Sequence, residues 1–228
     1  MEVVTHDPVR IPVIAIDGPA ASGKGTVAQR VAETLGFHYL DSGALYRLVG
    51  YLALKKGIPW GDEFSLEKVA SSLPAEFRGG NVFLAGEDVT DAIRSEACSD
   101  AASRVAAVPS VRAALLAWQR NCRLRPGLVT DGRDMGSVVF PDAILKIFLT
   151  ASPEVRADRR YKQLKDKGID ANLPTLLQDL IDRDVRDATR SVAPLRQGPG
   201  AHLLDTTGMS VGDAVDQVVE WFKRFCNK

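Results

Sequence analysis

Short runs of apolar residues alternate along the chain with longer stretches in which apolar residues recur at every third or fourth position. Three of the runs are rich in β-branched residues and lie at residues 13–16, 128–130 and 144–149. Strands buried on both faces form continuous apolar runs, whereas helices that cover a sheet carry one apolar face. The pattern therefore predicts an α/β fold built on a parallel sheet.

Helical periodicity fills most of the intervals between these runs. Val27, Val31 and Leu35 share one helical face, and Gly36 suits the end of that helix. A second apolar stripe, over residues 45–53, predicts another helix. Further predicted elements are a strand at residues 37–40, helices at 95–105 and 111–123, a short strand at 203–204 and a closing helix at 211–225.

Residues 75–89 differ from the rest of the chain. Two short segments of alternating polarity, residues 75–78 and 81–84, are separated by Gly79 and Gly80. Paired glycines between alternating segments are typical of a β-hairpin. The sequence therefore predicts a small antiparallel insert within the parallel fold.

The most informative segment links the first apolar run to the first helix. It consists of Gly18, Pro19, Ala20, Ala21, Ser22, Gly23, Lys24, Gly25 and Thr26. A glycine-rich turn in front of a helix presents backbone N–H groups to an anion, and Lys24 adds a full positive charge. The segment predicts a phosphate-binding loop for a nucleoside triphosphate. Gly25 stands where serine or threonine is usual, which leaves open which hydroxyl contacts magnesium; the next one is that of Thr26.

Other polar segments are candidates for a second ligand. Residues 41–47 and 132–136 each follow a predicted strand, and open α/β sheets bind ligands at that edge. Residues 183–190 are dense in paired charges, and Arg156, Arg159 and Arg160 lie close together on a predicted helix. These arginines are candidate phosphate clamps, although an arginine on a helix surface is commonly a solvated charge.

Composition and charge limit the class of protein. The chain has 228 residues, of which 45% are hydrophobic and 25% charged, as in an ordinary globular protein with a sizeable core. Lysine plus arginine equals aspartate plus glutamate, at 29 each, so no global field favours nucleic acid or an anionic membrane. No apolar run approaches the length of a membrane span. Cys98, Cys122 and Cys226 have no metal-site spacing and suit reduced thiols, which predicts a cytoplasmic protein.

Together, these segments resemble the bacterial-type cytidylate kinases, within the nucleoside monophosphate kinases. The resemblance covers nearly the whole chain. It rests on residues 18–26, residues 40–43 with Tyr46 and Arg47, residues 86–89, Ala102 and Ser103 with Arg112, residues 131–136, and residues 183–194. It implies a P-loop fold with a three-layer parallel-sheet core, a small antiparallel β insert in the monophosphate-binding region and a helical lid.

The resemblance also implies how one kinase unit, residues 1–228, is divided. The core would comprise residues 11–60, 107–150 and 195–228, the monophosphate-binding region with its insert residues 61–106, and the lid residues 151–194. Closure of the lid would keep water from the transferred group. Gly168 and Pro174 flank a candidate hinge.

The activity implied by the resemblance is ATP-dependent phosphorylation of CMP and dCMP to the diphosphates, with Mg²⁺ and by a monomer. The loop at residues 18–26 would cradle ATP, Lys24 would reach the transferred phosphoryl group, and Thr26 would contact Mg²⁺. The acceptor is already a phosphate oxygen anion, so the reaction needs positioning and charge neutralisation rather than a general base. His6, His38 and His202 are therefore expected to be structural.

An acceptor site is implied as well. Arg47 and Arg133 match positions that grip the monophosphate, where a guanidinium fork pairs with two oxygens. The cytosine pocket is matched by Ser42, Arg112, Asp134 and Arg190, and the ribose site by Ser103, Arg183 and Asp187. An acceptor such as Asp134 favours the exocyclic amine of cytosine over the carbonyl oxygen of uracil.

Catalytic roles are implied for Lys24, Arg133, Arg156, Arg160 and Arg186. Ordinary structural interpretations compete with several of the assignments. Asp134 suits the cap of a turn. Asp187 and Arg183, four residues apart, suit an ion pair on a helix surface. Asp131 either supports the waters of magnesium or merely closes its strand.

Two other functions stay open at the level of sequence. One is a P-loop kinase for a different small acceptor, such as shikimate or another nucleotide. The other is a nucleotide-dependent switch or binding protein with no acceptor. The guanine-reading pattern N-K-x-D and the transporter pattern L-S-G-G-Q are both absent from the sequence, which disfavours the second function.

Overall fold

The central strands of the molecule are buried along their whole length. The computed structural model describes residues 11–78 and 80–226 of the chain, and only the backbone of Cys226. The main sheet is parallel and consists, from edge to edge, of β2 (His38–Asp41), β6 (Leu128–Gly132), β1 (Val13–Asp17), β7 (Leu145–Thr150) and β8 (His202–Asp205). Every residue of β1 and β6 is buried, because helices cover both faces of the sheet.

Each of these strands coincides with a predicted apolar segment to within two residues. The predicted parallel sheet is therefore confirmed. β6 extends beyond its apolar run through Asp131 and Gly132, because its backbone stays paired with β1 as far as Asp17. The Asp131 carboxylate is thus held in strand geometry at the edge where ligands are expected.

The described residues also contain eight α-helices. They are α1 (Lys24–Leu35), α2 (Ser42–Lys56), α3 (Glu63–Ser71), α4 (Glu96–Val105), α5 (Pro109–Asn121), α6 (Pro153–Asp166), α7 (Leu173–Thr189) and α8 (Val211–Cys226). The predicted helices are all present, and α5 opens with Pro109, which suits the first turn of a helix. α3 was not predicted; it is capped by Asp62, whose carboxylate accepts a hydrogen bond from the backbone N–H of Ser65.

Three layers form the core. α1 and α8 cover one face of the sheet, where Val31 and Val218 belong to the same buried cluster as Ile14. The opposite face is covered by α5 and by a π-helical turn, Met135–Val139, which follows β6. The three-layer prediction is therefore confirmed, while the π-helical turn was not anticipated.

A second core lies beside the sheet, where α2, α3, α4 and α5 bury a cluster that contains Leu45, Leu66 and Leu115. The small antiparallel sheet consists of β3 (Ala75–Arg78), β4 (Asn81–Leu84) and β5 (Glu87–Asp88). It packs against α2 through Val82 and Leu48. The predicted hairpin is confirmed, and Gly79 lies outside the described residues. β5 was not predicted, because its two residues are exposed and acidic and therefore show no apolar pattern.

α6 and α7 pack against each other as a helical hairpin. Gly168 follows α6 with a φ of 71°, and Pro174 lies in the first turn of α7. The start of α6 contacts the phosphate-binding loop, and the end of α7 contacts the turn after β6. The candidate hinge at Gly168 and Pro174 therefore joins the two helices to each other at their far end, rather than to the core.

The surroundings of Cys98, Cys122, His38 and His202 are those of structural residues. Cys98 is buried and Cys122 partly buried, both as free thiols. His38 contacts the carbonyl oxygen of Arg125, and His202 stacks on Trp221. His6 and the Cys226 side chain fall outside the described residues. Over residues 11–78 and 80–226, no helix has the length and apolarity to cross a membrane, and no three acidic, histidine or cysteine side chains cluster as a metal centre.

Candidate active site

The loop between β1 and α1 has the backbone of an anion-binding nest. Gly23 has a φ of 90°, and Ala21, although not a glycine, has a φ of 56°. The N-terminus of α1 receives no hydrogen bond from a capping side chain, so its first N–H groups remain directed at the loop. Successive N–H groups and the helix dipole therefore converge where a phosphate would bind.

Gly18 is dictated by close packing. A Cβ atom at this position would lie 2.0 Å from the carbonyl oxygen of Leu149 in β7, which no side chain permits.

The Lys24 side chain folds back over the loop, and its Nζ donates to the carbonyl oxygen of Pro19 at 3.1 Å. Burial and, next, the charge of Arg133 lower the pKa of the Lys24 ammonium. The loop therefore holds a buried amine whose charged form a polyphosphate would stabilise.

A cavity of about 430 Å³ opens beside the loop. Its walls include Ser22–Val27, Arg159, Thr206 and Met209. Arg159 donates to the carbonyl oxygens of Ser22 at 3.1 Å and of Thr206 at 2.6 Å. Arg159 therefore ties α6 to both sides of this cavity, which we call the donor cavity.

A second, narrower cavity of about 60 Å³ lies at the carboxyl ends of β2 and β6. It is lined by all nine residues predicted for the acceptor: Ser42, Arg47, Ser103, Arg112, Arg133, Asp134, Arg183, Asp187 and Arg190. These residues come from four separate parts of the chain. We call this space the acceptor pocket.

Asp134 lies at one end of the acceptor pocket and is buried. One carboxylate oxygen accepts a hydrogen bond from Arg112, and the other lies 3.9 Å from Nη2 of Arg190, beyond hydrogen-bond range. Arg112 in turn lies over the ring of Tyr46, at 5.7 Å from its centroid. Ser42 donates to the carbonyl oxygen of Asp131 at 2.7 Å. This end of the pocket is therefore a rigid polar wall beside an aromatic ring.

Asp187 joins the lid to the core. One carboxylate oxygen accepts from Nε of Arg133 at 2.7 Å and the other from the hydroxyl of Ser103 at 3.2 Å. Burial raises the pKa of Asp187, but Arg133 and Arg183 outweigh that effect and hold the pKa below its usual value. The interpretation of Asp187 as half of an exposed pair on a helix surface is wrong, because its side chain is only 5% exposed and its close partner is Arg133.

Three guanidinium groups have buried nitrogens without a hydrogen-bond partner in the described part of the chain. They are Nε of Arg47, Nε of Arg183 and Nη2 of Arg190. All three residues line the acceptor pocket. Unpaired buried donors are unfavourable, so a pocket that gathers three of them is suited to an anionic, oxygen-rich ligand.

A third cavity, of about 460 Å³, lies between the phosphate-binding loop and α7. Lys24 and Arg47 line this cavity as well as the other two. Arg133, Arg160 and Arg186 also line it. Lys24 and Arg133 therefore share one cleft, with the phosphate-binding loop on one side and the acceptor pocket on the other.

The lid arginines have different surroundings. Nε of Arg160 donates to Glu96 at 2.7 Å, and Nη2 of Arg186 donates to Asp100 at 2.8 Å, so both arginines link the lid to α4. Arg156 is buried, and its three nitrogens donate to the carbonyl oxygens of Ala151 and Ala20 and to the Asp184 carboxylate. A solvated surface charge is thus the wrong interpretation for Arg156. Its roles in catalysis, like those of the other arginines, stay predictions.

Tyr39 is a residue of this region that sequence reasoning did not select. Its hydroxyl donates to the Asp131 carboxylate at 2.7 Å, next to the loop. A Cβ atom on Gly25 would lie 3.5 Å from that hydroxyl and 3.8 Å from both Asp131 carboxylate oxygens. The signal in the sequence was an aromatic residue one place before the last apolar residue of β2, which alone does not distinguish a packing role. Burial, followed by Asp41, raises the pKa of Asp131.

Comparison with known proteins gives a consistent result. A family model described as cytidylate kinase matches residues 14–224. A cytidylate kinase of Chromobacterium violaceum is 62% identical and covers 93% of this chain and 96% of its own length. One from Cupriavidus necator is 60% identical and covers 92% of this chain and 95% of its own length. The crystal structure of an uncharacterized protein from Eubacterium ventriosum superposes with a TM-score of 0.54 at 14% identity, over 93% of this chain and 98% of that one, which shows a shared fold.

Proposed function

The chain belongs to the cytidylate kinase family, and on that premise we propose that it transfers the γ-phosphoryl group of ATP to CMP and dCMP. The observation that carries the proposal is the set of three unpaired guanidinium donors, from Arg47, Arg183 and Arg190, in a pocket that also contains Asp134. The oxygens of a nucleotide, on its phosphate, sugar and base, would satisfy these unpaired cationic donors, and a base with an exocyclic amine would suit a carboxylate.

ATP would bind with its triphosphate on the loop between β1 and α1. The backbone N–H groups from Gly23 to Thr26 would donate to the β-phosphate, since that end of α1 has no side-chain cap. Lys24 would leave the carbonyl oxygen of Pro19 and contact the transferred phosphoryl group. The adenosine would occupy the 430 Å³ cavity between Arg159 and Met209.

The oxygen donors near the loop fit Mg²⁺, which prefers hard oxygen ligands and retains several waters. Asp131 places a buried carboxylate beside Gly25, and Thr26, the next residue, offers an exposed hydroxyl. Asp131 and Thr26 would hold the ion, directly or through its waters. The bound ion would neutralise the negative charge on the phosphates of ATP.

The acceptor would lie with its phosphate towards the third cavity and its base towards Asp134. Arg47 and Arg133 would each offer a guanidinium fork to the phosphate. Ser103, Arg183 and Asp187 would bind the sugar hydroxyls. Asp134, held by Arg112, would accept from the exocyclic amine of cytosine, whereas a uracil carbonyl oxygen would face the carboxylate unfavourably.

Transfer in this arrangement would be in line. An oxygen of the acceptor phosphate attacks the γ-phosphorus, the bond to the bridging oxygen breaks, and ADP leaves with the electron pair. Lys24, Arg133, Arg160 and Arg186 would neutralise the charge that builds up between the two nucleotides. The contacts of Arg156 favour a positioning role, in which it secures α6 to the loop at Ala20.

The two open alternatives are distinguished by an acceptor panel. A coupled assay of ADP release would compare CMP, dCMP, UMP, AMP, GMP and shikimate under one set of conditions. The proposal predicts rapid turnover with CMP and dCMP and slow turnover with UMP. Preference for another acceptor would favour a different kinase, and slow ATP hydrolysis that no acceptor stimulates would favour a nucleotide-dependent switch.

One chain supplies both nucleotide sites, so we expect a monomer to be active, as light scattering of the active fraction would test.

The proposed lid, residues 151–194, contains α6 and α7. The proposed monophosphate-binding region, residues 61–106, contains α3, the small sheet and α4. Both proposed substrates are nucleotides of central metabolism, which supports a cytoplasmic location.

A further inference from the structure

Asp17 is a buried carboxylate at the last position of β1, directly in front of the phosphate-binding loop. Among the described residues that line the donor cavity, the acceptor pocket and the third cavity, Asp17 does not occur. Neither proposed nucleotide would therefore contact it. A buried charge that contacts no ligand calls for an explanation in the structure itself.

The Asp17 side chain reaches across to the turn that follows β6. Its Oδ1 accepts a hydrogen bond from the backbone N–H of Met135 at 2.8 Å, and its Oδ2 accepts from that of Gly136 at 2.9 Å. These two N–H groups open the π-helical turn Met135–Val139, immediately after Asp134. The backbone N–H of Gly18 adds a third link, to the carbonyl oxygen of Gly132 at 3.3 Å.

The backbone is thus held in place on both sides of Arg133 and Asp134. Gly132 before them is paired with β1, and the two residues after them are held by one carboxylate. The turn also packs closely on the sheet, since a Cβ atom on Gly136 would lie 3.4 Å from Cβ of Ala15. The backbone that carries the proposed phosphate and base contacts has little freedom to shift.

We propose that Asp17 is a positioning residue, which fixes the turn carrying Arg133 and Asp134 at a set distance from the phosphate-binding loop. The inference rests on the proposed function, because it assigns Arg133 and Asp134 to the acceptor. A single side chain at the end of β1 thereby couples the geometry of the donor site to that of the acceptor site. Misplacement of reacting groups by about 1 Å lowers rates on the order of 100-fold, so such a link has catalytic value.

The carboxylate form is the one suited to this task, because both oxygens then accept. Burial raises the pKa of Asp17 to about 7, against the opposing effect of the two backbone N–H groups. Asp134 raises the pKa further and Arg133 lowers it. Two further charged residues, Lys146 of β7 and Arg196, line the same small cavity as Asp17.

The test compares the wild-type protein with the isosteric variant Asp17→Asn, in which an amide N–H₂ would face one of the two backbone N–H groups. The expected result is a KM for CMP raised about 10-fold or more and a CMP-to-UMP ratio of kcat/KM lowered by about 10-fold, with the KM for ATP within about twofold. An equal change in all three quantities, or no change in the CMP parameters, would overturn the proposal.

Asp142→Asn is the matched control. Asp142 is a partly buried carboxylate as well, paired with Arg123 whereas Asp17 is paired with backbone N–H groups, and it precedes β7 at the opposite end of the sheet. A loss of stability comparable to that of Asp17→Asn should leave the CMP-to-UMP ratio unchanged in this control. A similar drop in the ratio for Asp142→Asn would mean that destabilisation alone explains the effect, and would overturn the assignment.

Should Asp17→Asn fail to fold, hydrogen exchange in the wild-type protein decides the matter. The amides of Met135 and Gly136 are expected to exchange as slowly as those of β1 without any nucleotide. Exchange as fast as in an exposed loop would overturn the proposal. A wild-type protein that does not phosphorylate CMP contradicts the proposed function, whereas an active wild type with an unaltered Asp17→Asn variant contradicts only this inference.

Discussion

The Nε atom of Arg133 lies 2.7 Å from Oδ2 of Asp187, so the turn after β6 is tied directly to the lid helix α7. Both side chains are largely buried, with 15% and 5% of their surfaces exposed. The acceptor pocket is therefore built jointly by the turn after β6 and by α7. Opening of the proposed lid at α7 would have to separate this pair, which would link access of the acceptor to lid movement.

Replacement of Arg133 tests its proposed contact with the acceptor phosphate and its proposed neutralisation of charge during transfer. We expect Arg133→Ala to lower kcat about 100- to 1000-fold with CMP, because a charge-stabilising donor is lost in the transition state. Arg133→Lys should also be impaired, since a lysine cannot form the guanidinium fork. Steady-state kinetics with CMP and ATP measure both variants. A kcat within about threefold of wild type for Arg133→Ala would refute the assignment.

Replacement of Asp134 tests recognition of the base. Asp134→Asn retains an acceptor for Arg112 but adds an amide N–H₂, which suits the carbonyl oxygen of uracil. We expect the CMP-to-UMP ratio of kcat/KM to fall at least about 10-fold. Asn is preferred to Ala here, because truncation would leave the buried guanidinium of Arg112 unpaired. An unchanged ratio would show that another residue selects the base.

Local pattern in the sequence was enough for the core of the fold and for the phosphate-binding loop. The strands and most helices are continuous segments whose apolar residues carry the signal, and Gly18 to Thr26 form one uninterrupted motif. α3 and β5 were missed because their identity depends on packing partners. The left-handed backbone conformation of Ala21 could not be predicted from the sequence either, because the loop imposes it and the alanine side chain does not favour it.

Contacts between residues that are far apart in the sequence were harder to predict. Spacing along a helix pairs Asp187 with Arg183, yet the close partner is Arg133, 54 positions away. The interaction of Tyr39 with Asp131 spans 92 positions. Such pairs are set by the order of strands and by the docking of the lid. The resemblance to a family supplied the acceptor residues, and periodicity alone would not have gathered them.

The lowered pKa of Lys24 predicts that the protein takes up protons when it binds ATP. Burial and Arg133 lower its pKa in the nucleotide-free protein, so above that lowered pKa the folded state binds fewer protons at this site than the unfolded state does. Unfolding should therefore become less favourable as pH rises through this window. Phosphates bound beside Lys24 would raise its pKa again, so ATP binding at pH 8 should take up protons. Calorimetry in two buffers of different ionisation enthalpy measures the uptake.

The same titration in Lys24→Met provides the control for that experiment. The variant should bind ATP more weakly and take up fewer protons. Equal proton uptake by both proteins would assign it to another group. Absence of uptake in the wild type would mean that Lys24 is already charged before ATP binds.

Asp17 leads to the opposite dependence of stability on pH. Its folded-state pKa of about 7 lies above the ordinary value of 3.8, so the folded state binds more protons than the unfolded state between those limits. The free energy of unfolding should fall as pH rises through that window, by up to about 1.4 kcal/mol per pH unit. Asp17→Asn lacks this contribution. Urea unfolding at pH 5 and pH 8 should therefore show the variant gaining stability relative to wild type at the higher pH.

Only the difference between the two proteins is informative in that experiment, because every other titrating group is common to both. A difference that stays constant between pH 5 and pH 8 would show that Asp17 is already ionised across the range. A variant that loses stability relative to wild type as pH rises would reverse the assigned direction of the pKa.

Lys24 and Arg133 line one cleft, and in the proposed function that cleft holds ATP and CMP at the same time, with both side chains facing the phosphates. Inhibition by adenosine and cytidine joined through a pentaphosphate tests whether the two nucleotides share it. The compound should be competitive with ATP and also with CMP, because a single molecule would fill both sites. Competition with only one of the two nucleotides would contradict a shared cleft.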